Sequence, residues 1–409
     1  MNPALAQKQS TLKPSSLLAR GIPAGLDVQL IFIALALVSI GTMMVISSSI
    51  SFAEHTYGDG FYFMKRHMIY LVLGLIAALV VLQVPVRTWY RYSDLVMVMS
   101  LVLLAAVLVP GIGREVNGAR RWIGLGILNL QVAELAKLAM IVFMGGYLHR
   151  HQLTMKSHWL GFLKPMGMLL LVGMLLLLQP DFGSAVVIGC TVLGLMFLGG
   201  MQLWIFAAMI AAASGGLAML AITSPYRMER LVTFLDPWAD MFDSGYQLTQ
   251  SLIAFGRGEW LGVGLGNSVQ KLFYLPEAHT DFVFAIFAEE FGLFGVALVI
   301  GLFVTLVYRI LWAGRKAVRR QDWFAAYTAF GIGILIAGQA FINIGVTSGL
   351  LPTKGLTLPF VSYGGSSLLV TCMMIALVLR IGMEMGDQAW AQNKAWAQKQ
   401  QVTSDRARA

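Results

Sequence analysis

The sequence predicts an all-α polytopic membrane protein: ten transmembrane helices, with a long extracytoplasmic loop between helices 7 and 8. Three observations lead there. Of 409 residues, 58% are hydrophobic and only 12% charged, with a mean hydropathy of +0.74; a soluble domain carries about 25% charged residues. Several apolar runs reach the ~20 residues that a helix needs to cross a ~30 Å hydrocarbon core. Ionisable residues inside those runs make a short list.

Taken in order, a polar tail runs to Asp27 and holds Lys8, Lys13 and Arg20. The apolar runs that follow lie near 28–49, 68–84, 93–110, 132–148, 161–178, 183–200, 203–223, 283–312, 324–347 and 366–386. The first is longer than the apolar core of a signal peptide and has no small-residue cleavage site, so it reads as a retained helix. An even number of crossings puts both termini on one side. The segments on that side include Arg87 and Arg91, then Arg150, Lys156 and Lys164, then Arg315, Lys316, Arg319 and Arg320, and finally Lys394, Lys399, Arg406 and Arg408. By the positive-inside rule that side is cytoplasmic. The reading therefore divides the chain into an N-terminal cytoplasmic tail (1–27), a membrane domain (28–386, outer loop 224–280) and a C-terminal cytoplasmic tail (387–409). No short-period repeat or internal duplication is visible.

The opposite side also carries cations: Lys65, Arg66, Arg114, Arg120, Arg121, Arg227, Arg230, Arg257 and Lys271. Arginines there oppose the rule, which points to an anionic substrate or lipid headgroup at the outer face. The alternative is ordinary pairing with Glu115, Glu229 and Asp236. The net charge of +9 is not gathered into an arm or stripe, so it argues for topology and headgroup contact, not nucleic-acid binding. Cys190 and Cys372 fall inside apolar runs as small core residues, without zinc or redox spacing.

The connection from Ser224 to Thr280 holds Pro225, Pro237 and Pro276, together with an amphipathic patch, Leu248–Phe255. A loop this long without structure of its own is uncommon, so short helices on or in the outer leaflet are expected. From Gly262 to Gly292 it passes from glycine-rich to polar, with Lys271, Glu277, His279, Thr280 and Asp281 close together, and then becomes an apolar helix. That junction can hold an ionisable group at the rim of a bilayer, and Asp281 is the candidate. Asp directly before a helical run also reads as an N-cap. The string Gly262-Val-Gly-Leu-Gly266 lacks the strand and βαβ unit of a nucleotide loop and is discounted.

Polar residues at membrane depth are functional candidates by default. Here they are Glu134, Lys137, Asp181, Glu289, Glu290 and Asn343. Glu134 and Lys137 are three apart and share a helix face, as a structural pair or as a substrate contact. Asp181, after Gln179-Pro180, reads as a helix start. Glu289 and Glu290 are adjacent, so at least one faces the bundle interior or a wet cavity. The six histidines are scattered; His149, His151 and His158 form a basic loop rather than a metal site. The loop from Gly349 to Ser367, with two prolines and Lys354, reads as part of a site, because irregular backbone at a membrane must be satisfied by protein or water.

Several strings in this order are recognisable: Gly118-Ala-Arg-Arg-Trp122, Gln179-Pro-Asp-Phe-Gly183, Gly245-Tyr-Gln-Leu-Thr-Gln-Ser251, Thr280-Asp-Phe282 and the Gly349-Leu-Leu-Pro to Ser362-Tyr-Gly-Gly-Ser-Ser367 block. Together they resemble the SEDS family of cell-wall polymerases over essentially the whole chain between the tails. Pro352-Thr-Lys-Gly-Leu-Thr-Leu-Pro359 is similar to its division-site branch; the elongation branch has a threonine-glycine version without the lysine. One departure is Gln131-Val-Ala-Glu134, where the family usually shows Gln-Pro-Ser-Glu.

The resemblance implies polymerisation of lipid II into a glycan strand at the outer face of the bacterial cytoplasmic (inner) membrane, at the division septum. It implies a class B penicillin-binding protein as partner, beside other division membrane proteins, and Asp281 as the catalytic aspartate. Substrate contacts would come from Arg120, Arg121, Trp122, Glu134, Lys137, Gln179, Asp181, Tyr246, Gln247, His279, Thr280, Lys354, Ser362, Gly364 and Gly365. No cofactor is implied, although a divalent cation (Mg or Mn) at the pyrophosphate is left open; no metal-ligand cluster in the sequence supports it. The rival reading is a lipid II flippase, which requires essential ionisable groups at mid-membrane, reachable from both sides. A non-catalytic scaffold would leave the polar constellation unexplained.

Overall fold

Asp27 opens the first helix: its carboxylate accepts from the Leu30 amide (3.0 Å), and α1 (Val28–Tyr57) follows until Gly58, in the left-handed region, closes it. The computed structural model describes residues 25–408 apart from 117, 127, 153–158, 224–227, 229–232, 244 and 353–354. The tail with Lys8, Lys13 and Arg20 lies outside the described residues, as do Lys156, His158, Ser224, Pro225, Arg227, Glu229, Arg230 and Lys354.

After α1 come α2 (Tyr62–Gln83), the short α3 (Val86–Arg91), α4 (Ser93–Leu108) and α5 (Val132–Arg150). A 3₁₀ turn (Trp159–Phe162) leads into α6 (Leu163–Leu178), α7 (Phe182–Leu198) and α8 (Leu203–Ile222). The long connection carries α9 (Tyr246–Gly258), and the chain finishes with α10 (Val283–Arg319), α11 (Trp323–Thr347) and α12 (Gly365–Arg408). Among the described residues six helices are long and apolar enough to cross a membrane: α1, α2, α5, α10, α11 and α12 over Gly365–Asp387. Shorter apolar helices are Ser93–Leu108, Leu163–Leu178, Phe182–Leu198 and Leu203–Gly216. The backbone of α12 stays helical to Arg408, well beyond the expected end of the last apolar run.

Burial sorts the helices. In α5 every residue from Val132 to Leu148 except Leu135 is buried, because α4, α7 and α11 pack around it. The outer helices expose large apolar side chains such as Phe32, Leu75, Val102, Leu170 and Phe294. Exposed patches of this extent mark a membrane surface rather than a water-facing one.

The expectation of an all-helical chain needs one correction. The α4–α5 connection folds as a three-stranded antiparallel sheet, β1 (Gly113–Val116), β2 (Ala119–Leu125) and β3 (Leu128–Gln131), in the order β1-β2-β3. Gly118 and Gly126, both at positive φ, make its turns. Strands this short lie below the window over which hydropathy finds helices, which is why the sequence reading passed over them. The patch expected to be helical within the long connection is α9, with Leu248, Thr249, Ser251 and Ala254 buried on one side.

Contacts gather the connections at two ends of the bundle. At one end Arg309 pairs with Asp27 (2.7 Å), Glu384 accepts from the Val86 amide (2.9 Å), and Arg150 pairs with Asp94 (2.7 Å). At the other end β2 meets the α6–α7 turn, β3 meets the start of α12, and the Tyr363 amide donates to the His279 carbonyl (3.0 Å).

Candidate active site

Asp281 lies at this second end. It is not the cap of α10: that position is Phe282, with no side-chain capping bond, so the N-cap expectation is corrected. The Asp281 backbone is instead clamped from the side. Asn343 of α11 donates its amide to the carbonyls of both Asp281 (2.8 Å) and Leu356 (2.6 Å), tying the two loops together. A Cβ at Gly355 would stand 2.7 Å from Asp281 Oδ2, so a bare backbone is what admits the carboxylate.

Asp281 retains some accessible surface, but protein surrounds the carboxylate on most sides. Burial raises its pKa to about 7; the Glu277 carboxylate adds to the rise, the Arg121 guanidinium opposes it, and Asp181 raises it further. A carboxyl poised near neutrality can accept a proton at physiological pH.

Arg121 is aimed by the sheet. Successive strand residues point to opposite faces, so Arg121 turns inward and donates to the carbonyls of Gln179 (2.8 Å) and Pro180 (2.6 Å), while Arg120 turns outward to Glu115 (3.0 Å). Asp181 caps α7 by accepting from the Ser184 amide (3.1 Å), and it also accepts from the Ser184 hydroxyl (2.9 Å) and the Gln131 amide (3.3 Å). The expected helix start at Asp181 is therefore observed. Behind it, Gln179 is buried and donates to the Leu104 carbonyl (2.9 Å).

His279 is buried in an aromatic wall: its ring lies 4.5 Å from Phe63, 5.4 Å from Phe52 and 5.9 Å from Tyr363. Burial lowers its pKa against the opposing pull of Glu277, which favours a neutral ring. Thr280 donates to Glu277 (2.6 Å). Glu134 and Lys137 form a fully buried pair (2.7 Å), and Lys137 also reaches Gln339 (3.2 Å), whose amide holds the Thr357 carbonyl (2.9 Å). That chain runs from α5 through α11 to the loop beside Asp281.

The remaining expected residues divide. Ser362 accepts from the Leu358 amide (2.8 Å) and so shapes the loop before α12. Gly364 packs against Thr357, and a side chain at Gly365 would collide with the ring of Tyr70. Trp122 sits in β2 opposite Gln131. Tyr246 and Gln247 occupy the first turn of α9, and among the described contacts none joins them to Asp281. Lys354 lies outside the described residues. Tyr70, Gln131, Gln339 and Gly355 are site-shaping residues that the sequence reading did not single out as such.

Glu289 and Glu290 are both fully buried and both hold the long loop. Glu290 accepts from Lys271 (2.7 Å) and Ser47 (2.7 Å); Glu289 accepts from Arg257 (3.3 Å), the Val269 amide (3.1 Å) and the Ser268 hydroxyl. Two residues later Gly292 (φ 64°, ψ −165°) breaks α10. A break leaves orphan carbonyls on one half-helix and orphan amides on the other. The glycine-rich string supplies the partners: Val263 and Gly264 donate to the carbonyls of Glu289 and Glu290 (both 3.0 Å), while Glu259 and Trp260 accept from Leu293 (2.9 Å) and Phe294 (3.2 Å). The string discounted as a nucleotide loop is thus the cap of a broken helix.

An apolar cavity of ≈ 950 Å³ lies between α1, α2 and α12, with Ser47, Lys271 and Leu272 among its lining residues. Among the described residues there is no group of three or more His, Cys, Asp or Glu able to hold a metal ion.

A family model described as a cell cycle protein, covering FtsW, RodA and SpoVE, matches residues 28–386. The chain belongs to this family. The SEDS resemblance of the motifs is therefore borne out. A Hahella chejuensis protein named "Probable peptidoglycan glycosyltransferase FtsW" is 54% identical over 359 residues, which are 88% of this chain and 90% of the relative. A Saccharophagus degradans protein with the same name is 52% identical over 360 residues, 88% of this chain and 93% of the relative. Among solved structures, one described as "Structural coordination of polymerization and crosslinking by a peptidoglycan synthase complex" contains a chain 30% identical, at a TM-score of 0.70, covering 88% of this chain and 98% of that one. The Thermus thermophilus rod shape determining protein RodA is 28% identical at a TM-score of 0.65, covering 87% of this chain and 96% of that one.

Proposed function

We infer that this family member is a peptidoglycan glycosyltransferase of cell division, polymerising lipid II at the outer face of the bacterial inner membrane with Asp281 as general base. The enzyme class follows from curated relatives at about 50% identity over most of the chain. The observation that carries the mechanism is a carboxyl raised to about 7 in a partly open site, faced by the Arg121 guanidinium.

In the proposed step an acceptor sugar hydroxyl attacks the anomeric carbon of the donor. A new C–O bond forms there, the bond to the diphosphate breaks, and the hydroxyl proton passes to Asp281. Negative charge develops on the departing prenyl diphosphate, where Arg121 and, in this reading, Lys354 stabilise it. Neutral His279 and its aromatic neighbours give the sugar a flat wall. The Glu134–Lys137–Gln339 chain fixes the loop that carries Gly355 and Thr357. The apolar cavity between α1, α2 and α12 suits a prenyl tail. A divalent cation would neutralise diphosphate charge; with one or two carboxylates such as Glu277 it would take the rest of its shell from the diphosphate and water.

The flippase reading asks for ionisable groups at mid-bundle that both sides can reach. Among the described residues, Arg121, Asp181 and Asp281 sit together at one end, which favours chemistry at a surface. The full proposal has ten crossings, cytoplasmic termini, septal enrichment and a class B penicillin-binding partner that cross-links the strand. The similarity to a chain from a structure described by polymerization and crosslinking supports that partner.

The test is polymerisation of purified lipid II by the purified protein, alone and with its partner, comparing wild type with Asp281→Asn. Loss of the general base lowers the rate ~10²–10⁴-fold. An Asn variant that polymerises at the wild-type rate would sink the assignment.

A further inference from the structure

The end of the bundle remote from Asp281 carries a second pocket, and its chemistry differs from that of the first site. Arg309, Trp312 and Lys316 of α10 are spaced at i, i+3 and i+7, so they line one face of the helix, and Arg320 is its C-terminal cap. With residues 25–30 and α12 they enclose a cavity of ≈ 560 Å³ that also takes in Arg319.

Four cations thus face the single lining carboxylate, Asp27. Asp27 is committed to Arg309, accepting from Nε (3.0 Å) and Nη2 (2.7 Å). Arg320 donates to the Met385 carbonyl, which positions the guanidinium but leaves its charge uncompensated. Arg319 lies over the Trp312 ring at 5.9 Å. Lys316 has no hydrogen bond or ion pair with any described residue, and neither Arg319 nor Arg320 is ion-paired among them. Three cations with no ion-pair partner among the described residues therefore surround one cavity.

The surroundings select the kind of anion. Tyr308 stacks on Trp312 (6.2 Å, 24°), and these rings are the residue types found at the headgroup level of a membrane. Ile300, Val304 and Tyr308, at i, i+4 and i+8 on α10, expose an apolar row that continues to Trp312 at i+12, a lining residue of the pocket. A free phosphate would gain nothing from that row; a lipid gains contact along its acyl chains. We propose that this pocket binds the headgroup of an anionic phospholipid, with the phosphate among Lys316, Arg319 and Arg320 and the chains along α10. This site is separate from the glycosyltransferase chemistry proposed above.

The probe is dioleoyl phosphatidylglycerol, titrated into delipidated full-length protein in neutral detergent and read by native mass spectrometry, with dioleoyl phosphatidylcholine and glycerol phosphate as parallel arms. Wild type should retain phosphatidylglycerol in preference to phosphatidylcholine. Lys316→Ala with Arg319→Ala should weaken phosphatidylglycerol roughly 30-fold, at about 1 kcal/mol for each cation, and leave phosphatidylcholine unchanged. Lys316→Arg, which keeps the charge, should bind as wild type and controls for misfolding. Undiminished phosphatidylglycerol binding by the double alanine variant overturns the proposal. So does competition by glycerol phosphate at concentrations equal to the lipid, which would mark a site for soluble anions.

Discussion

At the scale of single residues, the site turns on how Asp281 keeps a pKa of about 7. A base must be ionised to accept a proton, so polymerisation should rise with pH through about 7 and level off above it. Folding runs the other way. The raised pKa means that the folded state binds the proton more tightly than the unfolded chain, so stability falls as pH rises from the ordinary carboxylate range to about 7. Asp281→Asn removes that dependence; a pH–rate profile beside a pH–melting profile checks both signs, and a rate independent of pH between 5.5 and 8 would contradict the assignment. Arg121→Lys is the second residue-scale test. The guanidinium donates to two carbonyls at once, from Nε and Nη2, a fork that an ammonium cannot copy. The lysine variant should keep its fold and lose at least tenfold in rate, measured on lipid II with the partner present. Much of this site was legible in the sequence, because Asp281, Arg121, Asp181 and His279 are polar residues in recognisable strings. Gly355 and Asn343 were not assigned their roles, since making room for a carboxylate and clamping two carbonyls are properties of proximity that sequence position does not reveal.

At the scale of elements, the informative feature is the break in α10. A helix period continues smoothly through Gly292, so the sequence predicts one apolar helix and gives no sign of a discontinuity. The strained φ/ψ at Gly292 is open essentially only to glycine. The caps that the break requires come from a loop some thirty residues earlier, which hydropathy reads only as irregular. Gly292→Ala should therefore unseat the 262–282 loop as well as the helix, lowering the melting temperature and the activity together. Lys271 and Glu290 hold the same loop through a buried pair (2.7 Å). Removing one partner strands a buried charge and typically costs 3–5 kcal/mol. Lys271→Met with Glu290→Gln should be less destabilising than the sum of the two single changes, and a double-mutant cycle on thermal stability measures the difference. Strictly additive effects would mean that the pair does not hold the loop.

At the scale of the whole molecule, the bundle is polarised. The Asp281 constellation and the sheet lie at one end, and the cationic cavity of Arg309, Lys316 and Arg319 lies at the other, with α10 joining them. Hydropathy made the apolar helices visible, but not which of them are central: α11 and α12 are about as apolar as α2, yet far more buried. That difference arises from packing partners, which no single run encodes. A membrane supplies the reason for the polarity. In the proposed topology cations are retained on the cytoplasmic side, whereas the lipid-linked sugar diphosphate is used on the other. The arrangement therefore predicts sidedness. In a background lacking Cys190 and Cys372, a cysteine at Asp240, in the long connection, should react with an impermeant maleimide in intact spheroplasts. A cysteine at Gln321, beside the cationic pocket, should react only after lysis. The two positions lie on either side of a single α10, so one reversed result cannot be absorbed by moving the other. Labelling of position 321 in intact spheroplasts would invert the molecule and remove Asp281 from the face where the glycan strand is proposed to grow.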